Sequence, residues 1–306
     1  MPGPPNTQLE ELAELLAGTP YRPLRLIGRG AIGDVYMVEH EFLGKRFALK
    51  QIHARWTEIS GFVDRLRLEA QALGRLQHPH IVEVIEYWPS QLGLPCLVLE
   101  LLRGSALREE LNRQRRLSPR EAVTIAQQVL EGLEAAHALG IVHRDIKPEN
   151  VFLHHPPGFE AVAKILDFGL ARVLLDTSPS PPSAHADIRT ATGALVGSPR
   201  YYSPEAIRRE PIDHRADLFG VGLIIYEMLT GRGPYDSAEG VLPPSELAPD
   251  LSSELDAVVL RSLQESRHAR FQSAREFSSA LEAACPRPSR TPTSWRPAPG
   301  WVRTPV

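Results

Sequence analysis

Six residues, Gly28-Arg29-Gly30-Ala31-Ile32-Gly33, space three glycines so that backbone N–H groups can approach phosphate oxygens with no Cβ atoms in the way. A dinucleotide-binding turn has the same spelling, and so does a chance glycine turn. Context separates the first two. A dinucleotide turn must open a helix and meet an acidic residue about 20 positions later. Here a strand pattern follows, through Asp34, Val35, Tyr36 and Val38, and the residue 20 beyond Gly30 is Lys50. A lysine suits a polyphosphate, not a ribose hydroxyl. Lys50 ends the apolar run Phe47-Ala48-Leu49. Lysines at strand ends are usually solvated. The sharper reading is a cation aimed at phosphates and held by a carboxylate. Glu69 is the expected partner, because it lies between Leu66 and Leu73 on a helix face turned inward, and buried carboxylates are rare unless paired.

A second group follows far along the chain. His143-Arg144-Asp145-Ile146-Lys147-Pro148-Glu149-Asn150 offers a carboxylate, an ammonium and an amide within six residues. Asp167-Phe168-Gly169 begins 17 residues after Asn150. Together with the glycine turn and Lys50, these segments resemble the protein kinase signature set, in the family's order, across residues 24–284.

The resemblance implies a reaction and assigns roles. ATP would lie under the glycine turn, residues Ile27, Gly28, Arg29, Gly30, Ala31, Ile32, Gly33 and Asp34, with Lys50 and Glu69 at its phosphates. Val35, Ala48 and Phe152 would sandwich the adenine, Leu99 would be the gatekeeper, and the backbone of Glu100 and Leu102 would hydrogen-bond the base. A plain core strand fits Leu97–Leu102 equally well. Asp145 would take or orient the proton of the acceptor hydroxyl, and Asn150 and Asp167 would be ligands of Mg²⁺, with Mn²⁺ as an alternative. Lys147, two residues after the base, marks the serine/threonine kinases and contacts the transferred phosphoryl group.

The stretch from Asp167 to Glu205 matches an activation loop, closing on Ser203-Pro204-Glu205, and Glu205 would pair with Arg270 in a buried structural contact. Thr190 and Thr192 resemble the phosphorylated threonines of bacterial Hanks-type kinases, and solvated loop threonines would read the same. Arg144 and Arg172 are suited to receive such a phosphate. Two features depart from the family pattern. Only Asp236–Gly240 stands where bacterial members usually carry a further helix, and Ile32 replaces the common aromatic at the tip of the glycine turn.

The elements that must position these groups are legible in outline. Residues 8–17 read as a short amphipathic helix ended by Gly18 and Pro20. Strand patterns then dominate to about Leu102, with a hairpin turn at Phe42–Arg46 and one helix over residues 61–76. After Arg103 the pattern is helical. Ser118-Pro119-Arg120-Glu121 is a capping box with proline at the first helical position, and the helix it opens stops at Gly140. Helices are expected over 216–230, 253–264 and 274–284, the last with a second capping box at Ser273 and Glu276. The fold class is α+β, a two-lobed kinase-like architecture: a small antiparallel sheet with one main helix, then a larger helical lobe. The expected organisation is an N-terminal extension (1–20), a kinase domain (21–285, lobes 21–102 and 103–285) and a proline- and arginine-rich flexible tail (286–306) that could dock a partner.

Composition narrows the function classes. With 42% hydrophobic and 23% charged residues the chain can build a core. A net charge of -3 argues against a general nucleic-acid binder. Two cysteines, Cys96 and Cys285, exclude a disulfide scaffold and a four-cysteine zinc site, as expected of a reducing compartment. No apolar run approaches the ~18–20 residues that span a bilayer. Residues 1–7 lack a secretory pattern, so a cytoplasmic location is expected. Only four lysines (Lys45, Lys50, Lys147, Lys164) stand among 34 Lys plus Arg, a usage associated with GC-rich bacterial genomes. The function these readings converge on is a serine/threonine protein kinase of bacterial signalling, acting on protein Ser/Thr hydroxyls and activated by (auto)phosphorylation of its activation loop. The alternative is a catalytically silent pseudokinase scaffold. A small-molecule kinase on the same fold would lack Lys147 and the Ser-Pro-Glu segment.

Overall fold

Strand alternation in the first third of the chain decides how its sheet is covered. In Pro95–Glu100 (β5), Cys96 and Val98 point to one face and Leu97 and Leu99 to the other, and the strand is buried on both. A strand apolar on both faces needs a cover on each side. One cover is helix Pro5–Leu15 (α1), which with Leu16 lays Leu12, Leu15 and Leu16 against Tyr21, Tyr36, Val38, Leu49, Cys96 and Val98. The other is helix Phe62–Gly74 (α3), whose Phe62, Leu66 and Ala70 meet Ile52, Trp56 and Leu97. The segment expected as an N-terminal extension is therefore built into the sheet's own core.

The computed structural model describes residues 5–89, 94–158, 160–168, 199–236 and 240–285, with backbone alone at 5–7 and 199. Strands Tyr21–Arg29 (β1), Gly33–His40 (β2), Lys45–Ile52 (β3), Val84–Pro89 (β4) and β5 form an antiparallel sheet in the order β1-β2-β3-β5-β4. The β2–β3 turn falls where Gly44 marks it, with φ of 62° and its N–H donating to His40 O at 2.8 Å. A short helix, Ala54–Thr57 (α2), precedes α3.

Beyond residue 103, strand Gly104–Ala106 (β6), Val151–His154 (β7) and Val162–Ile165 (β8) make a second, three-stranded sheet. Among the described residues seven helices accompany it, Leu107–Gln114 (α4), Pro119–Ala138 (α5), Pro204–Arg208 (α6), Arg215–Thr230 (α7), Pro244–Leu247 (α8), Ser253–Ser262 (α9) and Ala274–Ala284 (α10), and α4, α5, α7, α9 and α10 build one apolar core with it. This is the expected α+β architecture. Helix α5 begins as its sequence dictates: Ser118 Oγ accepts the Glu121 N–H, and the Glu121 carboxylate accepts the Ser118 N–H at 3.2 Å. The second expected capping box is only half formed. Ser273 Oγ accepts the Glu276 N–H at 3.0 Å, but the Glu276 carboxylate takes the Gln272 N–H at 2.7 Å and Arg261 at 2.5 Å instead of returning to Ser273. A nearby guanidinium pulls the carboxylate one residue past its local partner. Among the described residues no helix is long and apolar enough to cross a membrane.

Candidate active site

The glycine turn joins β1 to β2. Gly30 N–H donates to Gly33 O at 3.1 Å, closing the turn on itself. A Cβ at Gly33 would stand 2.1 Å from Gln51 O on β3, so the strands can pair there only if residue 33 has no side chain. Ala31 O accepts the Trp56 indole N–H at 3.1 Å and a bond from Arg55. Asp34 faces His53 at 3.3 Å, and Arg29 donates to Gln8 of α1 at 3.1 Å. Ile32, at the tip of the turn, packs partly buried against the Ile52–Trp56–Phe62 cluster.

Lys50 is buried in β3 with its Cα in register with Val35 and Leu97. Its ammonium donates to Asp167 Oδ1 at 2.6 Å, across 117 positions of chain. The expected Lys50–Glu69 ion pair is therefore replaced by Lys50–Asp167. Asp167 adopts φ of 54°, a left-handed conformation that aspartate tolerates, and its carboxylate meets Lys50 on β3. Glu69 lines the same cavity as Lys50, Leu99, Asp167 and Phe168, so the three charged residues still face one space.

The second group is tightly tied. Asp145 Oδ2 accepts Lys147 Nζ at 2.5 Å and Asn150 Nδ2 at 3.0 Å, and the same amide donates to Asp145 O at 2.8 Å. Pro148 opens the short 3-10 turn that brings Asn150 back to Asp145. Asn150 O accepts the Leu166 N–H at 2.8 Å, and Leu166 O contacts His143 Nε2 at 2.8 Å. One backbone bond and one contact from the His143 ring thus hold the Asp145 loop against the residue before Asp167.

Sequence reading missed the anchor of this loop. Asp217, buried in the first turn of α7, accepts the His143 N–H at 2.9 Å, the Arg144 N–H at 2.7 Å and a contact from His137 Nε2 at 2.8 Å. Arg144 sits at φ of 66°, a strained conformation for arginine that these bonds over-determine. The signal was available, since a carboxylate inside a helix apolar on nearly every side must have partners. Arg108 of α4 was also missed. It donates to Glu149 at 2.9 Å and to Glu227 at 2.6 Å, bracing the turn that carries Asn150.

Burial pushes the Asp167 carboxyl up, but Lys50, then His143 and Lys147, more than offset it and hold the group below the ordinary aspartate value. The cations of both groups therefore act on one carboxylate. Burial, and then the charge of Asp145, pushes the Tyr202 hydroxyl up to about 12. The positions expected around adenine lie on adjoining elements: Ala48 is in register with Leu99, and Phe152 sits on β7 beside β8. Val35 is half-buried on β2, Ile27 is 37% exposed on β1, and Leu102 is half-buried where the chain leaves the first sheet. Glu100 N–H is taken by Glu83 O at 3.1 Å. Thr190, Thr192 and Arg172 lie outside the described residues.

All of this amounts to three carboxylates (Asp145, Asp167 and Glu69), an amide and two ammonium groups, with Lys147 near enough to act on Asp167; the oxygens suit a hard divalent ion and the cations suit phosphate. Asn150 uses Nδ2 internally, which leaves Oδ1 as its donor to a metal, and the ionised Asp167 supplies a second oxygen. The set fits Mg²⁺, which takes one or two protein ligands and completes its shell with phosphate and water. Lys50→Met is expected to raise the KM for ATP and lower kcat/KM by about 10²-fold or more, the loss of one positioned charge on a polyphosphate. Steady-state assays with folded protein check it, and wild-type kinetics would remove Lys50 from the site.

The family profile described as protein kinase domain matches residues 21–275. Serine/threonine-protein kinase Pkn1 of Myxococcus xanthus is 36% identical over 276 residues, 86% of this chain and 38% of that protein. A probable serine/threonine-protein kinase of Streptomyces coelicolor is 36% identical over 272 residues, 84% of this chain and 39% of its own length. The chain thus spans about two-fifths of the length of these curated relatives. Among solved structures, the Mycobacterium tuberculosis PknI kinase domain superposes with a TM-score of 0.68 at 28% identity, covering 87% of this chain and 96% of that one.

Proposed function

Because this chain belongs to the protein kinase domain family, we propose that it transfers the γ-phosphoryl group of ATP to serine or threonine hydroxyls of proteins. The observation that carries the reading is Asp145 held between Lys147 and Asn150, with Lys50 and Asp167 joined across the groove. In the step, the acceptor oxygen forms a bond to the γ-phosphorus as the bond from that phosphorus to the β–γ bridging oxygen breaks, and the hydroxyl proton passes to Asp145. ADP leaves with the bridging oxygen.

Little covalent work falls to the protein, so its residues act by position and charge. Asp145 is aimed by its two donors. Lys147 is placed to follow the phosphoryl group from the base's own side. Lys50 fixes the phosphates from above, and the closed turn at Gly30–Gly33 roofs them. Asn150 and Asp167 would hold Mg²⁺, or Mn²⁺, which when bound neutralises phosphate charge. Val35, Ala48, Leu99 and Phe152 would enclose adenine, with the backbone of Glu100 and Leu102 at its edge.

Lys147, bonded to the base, favours a protein kinase of the serine/threonine class over a small-molecule kinase. The intact set Lys50, Asp145, Asn150 and Asp167 favours activity over a silent scaffold. Phosphorylation of Thr190 and Thr192 would raise activity by adding charge near Arg144 and Arg172, and the 286–306 tail would dock a partner. The test is incubation with labelled ATP, Mg²⁺ and a generic basic protein, followed by phosphoamino-acid analysis. Label on serine and threonine is expected. No label in protein that binds ATP would favour the scaffold.

A further inference from the structure

Lys164 belongs to no part of the site described so far, yet it is one of the most enclosed cations in the described residues, with a side chain 11% exposed. Its ammonium donates to Glu100 Oε1 at 2.6 Å and to Ile81 O at 3.3 Å. The same Glu100 oxygen accepts the Glu83 N–H at 2.9 Å, while Glu100 N–H donates to Glu83 O at 3.1 Å. Glu100 therefore clamps both polar groups of the Glu83 backbone, and Lys164 closes the clamp. Three chain segments meet on one carboxylate: the approach to β4, the end of β5 where the chain leaves the first sheet, and β8 of the second sheet.

Lys164 is also well placed in sequence. It is the register partner of Phe152 on β7, and it lies three residues before Asp167. A buried ion pair is weak grounds for stability, since desolvation consumes most of its Coulomb gain, but it does fix geometry. We propose that Lys164 is a positioning residue for the nucleotide base. Through Glu100 it sets the orientation of the backbone at residues 100–102, against which the adenine edge would lie. The inference rests on the kinase reading of the groove. Without the ammonium, the half-buried Glu100 carboxylate loses its charged partner, so it swings to solvent and releases the Glu83 N–H. The backbone at the base-binding edge then loses its fixed direction, while the phosphate end, held by Lys50 and Asp167, is untouched.

Calorimetric titration of the whole chain with two probes separates these ends: adenosine, which has only the base and ribose, and Mg²⁺-tripolyphosphate, which has only the phosphates. Lys164→Met is expected to weaken adenosine by about tenfold and tripolyphosphate by less than about twofold. Lys164→Arg, which keeps the cation, should return adenosine to within about threefold of wild type. Should Lys164→Met fail to fold, Glu100→Gln serves: it keeps an acceptor for Glu83 N–H but loses the charge, and adenosine should weaken while tripolyphosphate does not. Adenosine affinity unchanged in a folded variant, or both probes weakened alike, overturns the proposal. A wild-type chain that binds ATP while the variants behave as wild type sinks this inference alone. A wild-type chain that binds neither ATP nor adenosine sinks the kinase reading, and this one with it.

Discussion

Asp145→Asn should lower kcat for phosphoryl transfer by about 10²–10⁴-fold, the range over which a positioned general base acts. The amide is isosteric and can still accept from Lys147 or Asn150, whose bonds to Oδ2 are 2.5 and 3.0 Å. Packing therefore survives. The lost property is a charged acceptor for the hydroxyl proton. ATP affinity should hold, because the proposed phosphate contacts come from Lys50 and the metal ligands from Asn150 and Asp167. A labelled-ATP assay at saturating nucleotide, alongside a thermal melt, checks both halves. A variant that keeps more than about a tenth of wild-type kcat would show that some other group takes the proton.

The largest effect on stability is expected at Arg270. Its guanidinium is 0% exposed and forks onto Glu205 at 2.8 and 2.7 Å. Its remaining donors reach Gln264 O at 2.7 Å, Glu265 O at 3.0 Å and Arg215 O at 3.2 Å, and the charge sits 4.7 Å from the Phe219 ring centroid. Arg270→Met should cost about 3–5 kcal/mol, because it strands the buried Glu205 carboxylate and three carbonyls. Pairing it with Glu205→Leu should recover part of the loss, since the stranded charge is then gone. Urea unfolding of the three proteins measures this. A single-variant loss under about 1 kcal/mol would mean that water reaches the pocket.

The same pair gives the protein a pH dependence of known sign. Burial pushes the Glu205 carboxyl up, but the hydrogen bonds from Arg270 more than offset it, and its value lies below that of an ordinary glutamate. A depressed carboxylate stabilises the fold fully above its unfolded value, about 4.3, and loses that contribution as pH falls through the folded value. Wild type should therefore weaken with acid more steeply below about pH 4 than the double variant, which has no carboxylate there.

Much of this molecule could be read locally. Ser118, Pro119 and Glu121 announce α5 because a helix start is settled by groups within four residues of each other. Gly44 and Gly140 stop their elements for the same short-range reason. Helix α4 was not legible: Leu107 and Leu111 are its only buried apolar positions, too few to show a period, and it is held by packing beneath β6 and β7. Ser273 and Glu276 look like a capping box, yet Arg261, on a different helix, decides where the carboxylate goes.

The amino-acid sequence alone singled out the groups proposed to do the chemistry. Asp145, Lys147 and Asn150 are at most five residues apart, and a short proline-led turn brings them together, with Asp217 and Arg108 holding that segment in place. Only the tertiary structure decided who partners whom over long distances. Lys50 meets Asp167 rather than Glu69, Asp217 holds the backbone of His143 and Arg144, and Lys164 closes on Glu100. The reason is that a buried charge takes whichever counter-charge the packed chain brings within hydrogen-bonding reach. Residue types and spacings restrict that choice to a few candidates, and the packing of the whole chain selects among them, as it does where Lys50 meets Asp167 across 117 positions.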